Sequence, residues 1–286
     1  MHISTAAIIV GCVALASLAI VGARAWTRLA ALSDKKRKKR LVRMINRVFT
    51  RSEERGWLTR TPAFIRDYHR YYPALARLEA GYPQVRAECL AILEDKERLP
   101  DIRVMGGNYT KRGVHLALWK TFLFKSGDFV EANCARCPRT AALLRDIPHV
   151  YTAFFSVLDP HQVITPHWGY YKGFLRYHLG VVIPNDNADR SCSLQVNADL
   201  SDNAQDDPAL IEKGERYYWH EGEGIVFNDN YLHGAENKSD EVRVVLFLDL
   251  KRPMPWPLDL FNRLCLWIAH RERGVRKIRE NALLAD

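Results

Sequence analysis

The sequence predicts a mainly β domain, a sandwich or jelly roll with flanking helices, behind an N-terminal transmembrane helix. Three observations predict it. Between Tyr151 and Leu250, short β-rich runs alternate with Pro, Gly, Asn and Asp turns, the texture of a sandwich or barrel. Upstream, apolar residues recur at helical spacing. At the start, Ile3 to Ala23 is twenty-one residues without a formal charge, near the ~20 that cross a bilayer. A chain of 286 residues with 48% hydrophobic and 26% charged residues is neither disordered nor collagen-like.

Taken in order, residues 1–24 read as a membrane anchor. Arg24, Arg28 and the run Lys35–Arg40 follow it; a cleaved signal peptide carries its charge before the apolar run. The positive-inside rule then places everything after Arg24 in the cytoplasm. The basic run fits contact with an anionic membrane surface, with a nuclear or nucleic-acid signal as the alternative. Residues 25–80 form a basic juxtamembrane and linker segment, and residues 81–254 the folded domain.

Within that domain, Tyr82–Glu94 and Thr140–Arg145 are expected helices. Tyr151–Leu158, Gly173–Ile183, Ser193–Asn197, Glu215–Trp219, Gly224–Asn228 and Arg243–Leu250 are expected strands. The acidic stretch Ala198–Lys213 reads as a flexible insertion. Residues 255–286 mix Trp256, Phe261, Leu264, Trp267 and Ile268 with Arg263, Arg271, Arg273, Arg276 and Lys277. They suit either a helix lying in a membrane interface or one packed on the domain.

Charge is segregated. Residues 24–60 hold thirteen Lys/Arg against three Asp/Glu, and residues 251–280 hold eight against three, leaving −5 for residues 61–250 of a chain whose net charge is +9. A nucleic-acid groove through an acidic centre is disfavoured. Six cysteines are scattered in a chain placed in a reducing compartment, so disulfides are not expected. Cys134 and Cys137 have redox or zinc spacing, but no second pair completes a site, and ordinary thiols are the alternative.

Chemistry-bearing residues gather in the β-rich stretch. Pro166-His167-Trp168-Gly169 follows one run, Leu175-Arg176-Tyr177-His178-Leu179-Gly180 comes next, then Asn230-Tyr231-Leu232-His233, and Arg243 opens a last strand. Histidines at strand ends can converge across a sandwich, where neutral imidazole suits a divalent transition metal. Surface or core histidines are the alternative.

These residues resemble the aspartyl/asparaginyl β-hydroxylase family of iron(II)/2-oxoglutarate dioxygenases. The resemblance runs from Ser156 to Pro253 and includes Trp219-x-x-Gly222, Phe227 and His233. Weaker similarity extends upstream to Leu116–Trp119 and to Cys137-Pro138-x-Thr140. The ending Asp249–Pro255 looks most like bacterial hydroxylases of lipid A acyl chains. The resemblance implies a double-stranded β-helix, jelly-roll or cupin-like, as the dioxygenase domain. It implies His167 and His233 as catalytic residues and iron ligands. Arg243 would grip the distal carboxylate of 2-oxoglutarate, a task that suits a fork-shaped cation, with Ser156 assisting it. Arg176 and His178 would approach the cosubstrate's other end, and O₂ would be the co-reactant. Trp168 and Trp119 stay open between packing and substrate wall.

One departure bears on the substrate. Many 2-oxoglutarate oxygenases carry an acid two residues after the first histidine; this chain has Gly169, as the animal peptidyl enzymes of the family do. Asp229 is a nearby carboxylate that could substitute. The expected activity is a membrane-anchored hydroxylase of a lipid acyl chain, on lipid A or an aminolipid, releasing succinate and CO₂. Its site would lie on the cytoplasmic side of a bacterial inner membrane, with a peptidyl aspartyl/asparaginyl β-hydroxylase as the alternative. A silent binding module and a nucleic-acid-binding protein are disfavoured, the first by intact His167, His233 and Arg243.

Overall fold

The computed structural model describes residues 34–105, 117–271 and 273–282. The chain divides into two compact units, 1–51 and 52–286. Helix α1 (Asp34–Glu54) supplies the described part of the first. Lys and Arg are good helix formers, and Leu41, Met44 and Val48 recur on one exposed face.

In the second unit, β1 (Phe64–Ile65), α2 (Leu75–Ala80) and α3 (Tyr82–Leu93) come first. Pro83 sits in the first turn of α3, where its missing N–H costs nothing. Then follow β2 (Trp119–Ser126), β3 (Asp128–Phe129), α4 (Glu131–Arg136) and α5 (Pro138–Arg145). The Glu88 carboxylate on α3 accepts from Arg139 N and Thr140 N, both at 2.8 Å, and so fills the donor-rich start of α5.

The remaining strands are β4 (Val150–Leu158), β5 (Gln162–His167), β6 (Phe174–Val182), β7 (Cys192–Asn197), β8 (Glu215–Tyr218), β9 (Gly224–Phe227), β10 (Leu232–Asn237) and β11 (Arg243–Lys251). A short helix α6 (Leu200–Asn203) lies between β7 and β8, and α7 (Trp256–His270) and α8 (Arg273–Asn281) close the chain. Along α7, Trp256, Leu260, Leu264, Trp267 and Ile268 are exposed while Asn262 is buried.

Two antiparallel sheets result. One runs β1-β9-β6-β11-β4-β2-β3 and the other β5-β10-β7-β8. Strand alternation sends successive side chains to opposite faces. One face of the larger sheet therefore carries Phe155, Val157, Tyr177, Leu179, Leu246 and Leu248 into a core shared with α2, α3, α4 and α5. The other carries Phe154, Leu158, Val245 and Phe247 into a second core, completed by Ile164, Leu194, Val196 and Ala235 of the smaller sheet. Full burial of each such side chain is worth about 1.5–3 kcal/mol.

The expected jelly roll is corrected here. The fold is mixed α/β, with two open sheets rather than a closed barrel. Among the described residues, β1 and β3 end one sheet, and β5 and β8 end the other, without pairing across. Pro166 lies in β5, an edge strand, where a residue without an N–H is tolerated. The Ala198–Lys213 insertion is ordered, because Asp199 caps α6 by accepting from Ser201 N at 2.8 Å and Asp202 N at 3.0 Å.

The single-pass topology is corrected as well. Among the described residues no helix is long and apolar enough to cross a membrane. Ile3–Ala23, on which that expectation rested, lies outside the described residues. The transmembrane helix and the cytoplasmic, inner-membrane placement therefore have no described element to stand on.

Candidate active site

The inner face of the larger sheet is where polar groups interrupt the core. Ser156 on β4, Arg176 and His178 on β6, and Arg243 and Asp249 on β11 share the parity of Phe154 and Phe247, so all project between the sheets. Opposite them, His167 at the end of β5 and His233 near the start of β10 are direct cross-strand partners. Their ring centroids lie 4.2 Å apart. A cavity between the sheets is lined by both histidines, Ser156, Arg176, His178 and Arg243. Every site residue expected from sequence thus borders one cavity, with Trp119 beside them, whereas Trp168 does not line it.

Each imidazole has a fixed tautomer. His167 Nδ1 donates to Thr165 O at 2.8 Å, and His233 Nδ1 donates to Tyr231 O at 2.9 Å. A carbonyl only accepts, so Nε2 carries the lone pair that a metal needs. Burial holds both rings neutral: His167 falls well below the usual histidine range, and His233 is lowered to about 3 by burial and then by the Arg176 charge.

Arg243 is 1% exposed, and its Nε and Nη1 find no hydrogen-bond partner among the described residues. Its guanidinium carbon sits 4.6 Å from the Trp219 ring centre. Burial lowers its pKa to about 10, still leaving it cationic at neutral pH. Both nitrogens of buried His178 are likewise unpartnered. A buried cation with idle donors calls for an anion, and a dicarboxylate fits. Ser156 Oγ accepts from Trp119 Nε1 at 2.9 Å, which leaves the hydroxyl proton for a ligand.

Arg176 is engaged otherwise. Its Nη2 lies 2.9 Å from Asp229 Oδ2 and 3.2 Å from Asp249 Oδ1, and its guanidinium covers the Phe247 ring at 4.3 Å. Burial raises both carboxyls above the usual range, and Arg176 opposes that rise. Sequence reasoning named Asp229 as a spare carboxylate but missed Asp249, whose place opposite Arg176 is a matter of strand register.

Gly169 explains the missing acid. A Cβ there would lie 2.6 Å from Asp229 Cγ and 2.8 Å from Asp229 O, well inside contact distance. Gly169 N donates to that same carbonyl at 2.7 Å. Asp229 thus takes the space that a side chain at position 169 would need. Among the described residues no group of three or more His, Cys, Asp or Glu is placed to hold a metal ion. Two imidazoles are the ligands on offer. The CxxC thiols stay apart from this site, with Cys134 and Cys137 buried in the outer core.

Residues 79–253, more than half of the chain, match the family described as aspartyl/asparaginyl beta-hydroxylase. The chain belongs to this family. Membership gives it the potential of a hydroxylase. Over 192 residues it is 32% identical to the ornithine lipid ester-linked acyl 2-hydroxylase of Rhizobium tropici, covering 67% of this chain and 62% of that one. Over 145 residues it is 35% identical to aspartate beta-hydroxylase domain-containing protein 2 of Homo sapiens, covering 47% of this chain and 34% of that one. The chain therefore matches less than two thirds of either relative's length. Among solved structures, a Cupin_2 domain of an XRE family transcriptional regulator from Enterobacter cloacae aligns at 14% identity and a TM-score of 0.25, over 36% of this chain and 82% of that one. A likeness that low carries no argument.

The lipid reading is corrected at this point. A membrane-anchored hydroxylase of lipid A, with a lipid substrate and an anionic membrane surface as partners, required a spanning element that no described helix provides. Several relatives are aspartate beta-hydroxylase domain proteins, and the lipid A identity is specified by none of the matches.

Proposed function

We propose that this protein is an iron(II)- and 2-oxoglutarate-dependent hydroxylase acting on aspartyl or asparaginyl side chains of a peptide. The observation that carries the reading is the shared cavity of two neutral imidazoles and a buried, unpartnered Arg243. His167 and His233 would hold the iron through Nε2. Arg243 and Ser156 would receive the distal carboxylate of 2-oxoglutarate, and His178 and Arg176 would face its other end. Bound iron and cosubstrate supply the power to place one oxygen atom from O₂ on an unactivated carbon, with succinate and CO₂ as products.

The protein's own contribution is orientation and low polarity. Trp119, Phe227 and Phe247 give the cavity apolar walls, and low polarity strengthens each charge-assisted contact inside. Asp229 and Asp249 hold Arg176 in place, so its charge is fixed before any ligand arrives. Gly169 supports the peptidyl substrate, since the family resemblance implies a glycine here in the animal peptidyl enzymes, and Asp229 leaves no room for an acid at this position.

The test supplies the full chain with iron(II), 2-oxoglutarate and a reductant, together with Asp- and Asn-containing peptides and, in parallel, acylated lipids. Gain of one oxygen on a peptide Asp or Asn, matched by succinate release, is expected. Oxygen gained by an acyl chain and by no peptide overturns the substrate assignment.

A further inference from the structure

The insertion between β7 and β8 reaches the histidine pair through one side chain. β5 ends at His167, and the pairing of β5 with β10 opens on the His233–His167 contact, with a register shift before Ala235. Beyond that pair the two backbones continue without further ladder bonds to each other. Asn203 fills the gap. Its Oδ1 accepts from Trp168 Nε1 at 2.8 Å and from Leu232 N at 2.8 Å. These are the residue after one histidine and the residue before the other.

The same amide faces the third strand. Asn203 Nδ2 donates to Asn197 O at 2.7 Å and to Asp199 O at 2.6 Å. Asn197 ends β7 and lies opposite Leu232 on β10. A primary amide has two donors and two acceptor positions, and here all four are used. The segment holding it is itself braced. Asp202 accepts from Asn197 Nδ2 at 2.9 Å and Lys213 Nζ at 2.9 Å, and Asn197 Nδ2 also donates to Leu210 O at 2.7 Å.

We propose that Asn203 is a positioning residue that sets the spacing and tilt of His167 and His233 by tying Trp168, Leu232 and the end of β7 to one point. This rests on the reading that the two histidines hold a metal. With two protein ligands rather than three, errors in either ring are uncorrected by a further side chain, so support from outside the ligand pair carries more weight. Partners bonded to a ligand ring itself typically change metal affinity by ~10–100-fold when removed; Asn203 acts on the residues beside the rings, so that range is its ceiling.

The experiment uses cobalt(II) as a spectroscopic probe on the full chain, in wild type, Asn203→Leu and Trp168→Phe. Leu keeps the volume and loses all four hydrogen bonds; Phe keeps an aromatic ring and loses one donor to Asn203. Thermal melting establishes that each variant is folded. Asn203→Leu should weaken cobalt binding by up to ~100-fold and shift the visible ligand-field band; Trp168→Phe should do both to a lesser degree. A merely structural role moves the melting temperature and leaves the band alone. A folded Asn203→Leu variant with wild-type band and affinity overturns the proposal while the metal reading stands. If that variant does not fold, an unchanged band and affinity in Trp168→Phe overturn it. Failure of wild type to bind cobalt removes the metal reading and this proposal with it.

Discussion

The two faces of the larger sheet are built by the same strands and do opposite work. On the outer face Phe155, Tyr177, Leu179, Leu246 and Leu248 pack against helices. One residue along, on the inner face, Ser156, Arg176, His178, Arg243 and Asp249 meet the smaller sheet. The outer face is apolar, and its Tyr177 hydroxyl donates to Glu79 at 3.0 Å. The inner face holds Arg243 and His178 with idle polar atoms, a condition that costs free energy in the ligand-free chain. The lesson is one of division: a residue's position along β4, β6 or β11 decides, by odd or even count, whether it packs under the helices or faces the smaller sheet, where a second core surrounds the cavity.

The sharpest break in that comparison comes from the histidines. His167→Ala and His233→Ala should each abolish succinate release from 2-oxoglutarate while leaving the melting temperature near wild type, because both line the cavity between the sheets. Turnover that persists in both variants separates the cavity from the chemistry.

A matched pair of substitutions on β11 comes next. Leu246→Ala should cost about 2–5 kcal/mol of stability, as buried Leu truncations do, with the Michaelis constant for 2-oxoglutarate unchanged. Arg243→Met should do the reverse. Losing its grip on a carboxylate weakens cosubstrate binding by roughly 2–5 kcal/mol. Removing an uncompensated buried charge should raise the melting temperature of the ligand-free protein. Denaturant titration beside steady-state kinetics reads both, and a Met variant that is less stable and still saturable at wild-type concentrations contradicts the division of faces.

Much of the larger sheet was legible because its strands are rich in Phe, Val, Leu and Tyr. β10, reading Leu-His-Gly-Ala-Glu-Asn, was not, since Gly, Glu and Asn have low strand propensity and the strand is held by partners on both sides. β5 hid behind Pro166 for the same reason. Closure failed as an expectation because it depends on whether edge strands meet, which local composition does not encode. In the site, His167, His233, Ser156, Arg176, His178 and Arg243 were all reached through a family resemblance that preserves spacing. Asp249 and Asn203 were invisible. Their neighbours come from other strands, and the polar composition around Asn203 looked like a loop until Asp199 and Asp202 were seen to brace it.

Smaller effects sharpen the picture at its margins. Asp199→Ala removes the cap of α6 and should cost ~1 kcal/mol, read as a shift in the denaturant midpoint; no shift means the insertion is held by Asn203 and Asp202 alone. Smallest is a pH effect in the outer core. Burial raises the Cys137 thiol from 9.0 to about 12. The unfolded chain then releases this proton first, so the thiol's contribution is intact below pH 9 and lost as pH rises towards about 12. Comparing wild type with Cys137→Ala, the fall in stability across that window should be shallower in the variant, and equal slopes place its cause elsewhere.

The contact between Gly169 and Asp229 makes these two positions a unit of inheritance. An acid introduced at 169 collides with Asp229, and loss of the Asp229 side chain leaves Arg176 short of one of its two carboxylates. Neither change is tolerated first. A path from this two-histidine arrangement to one with a carboxylate beside the first histidine therefore crosses a valley: the Asp229 side chain must go, and its carbonyl, 2.8 Å from where the new Cβ would sit, must shift as well. Libraries that vary one position at a time will find nothing there, and exchanging the pair jointly clears only the side-chain half of the collision, so a third ligand needs a moved turn as well.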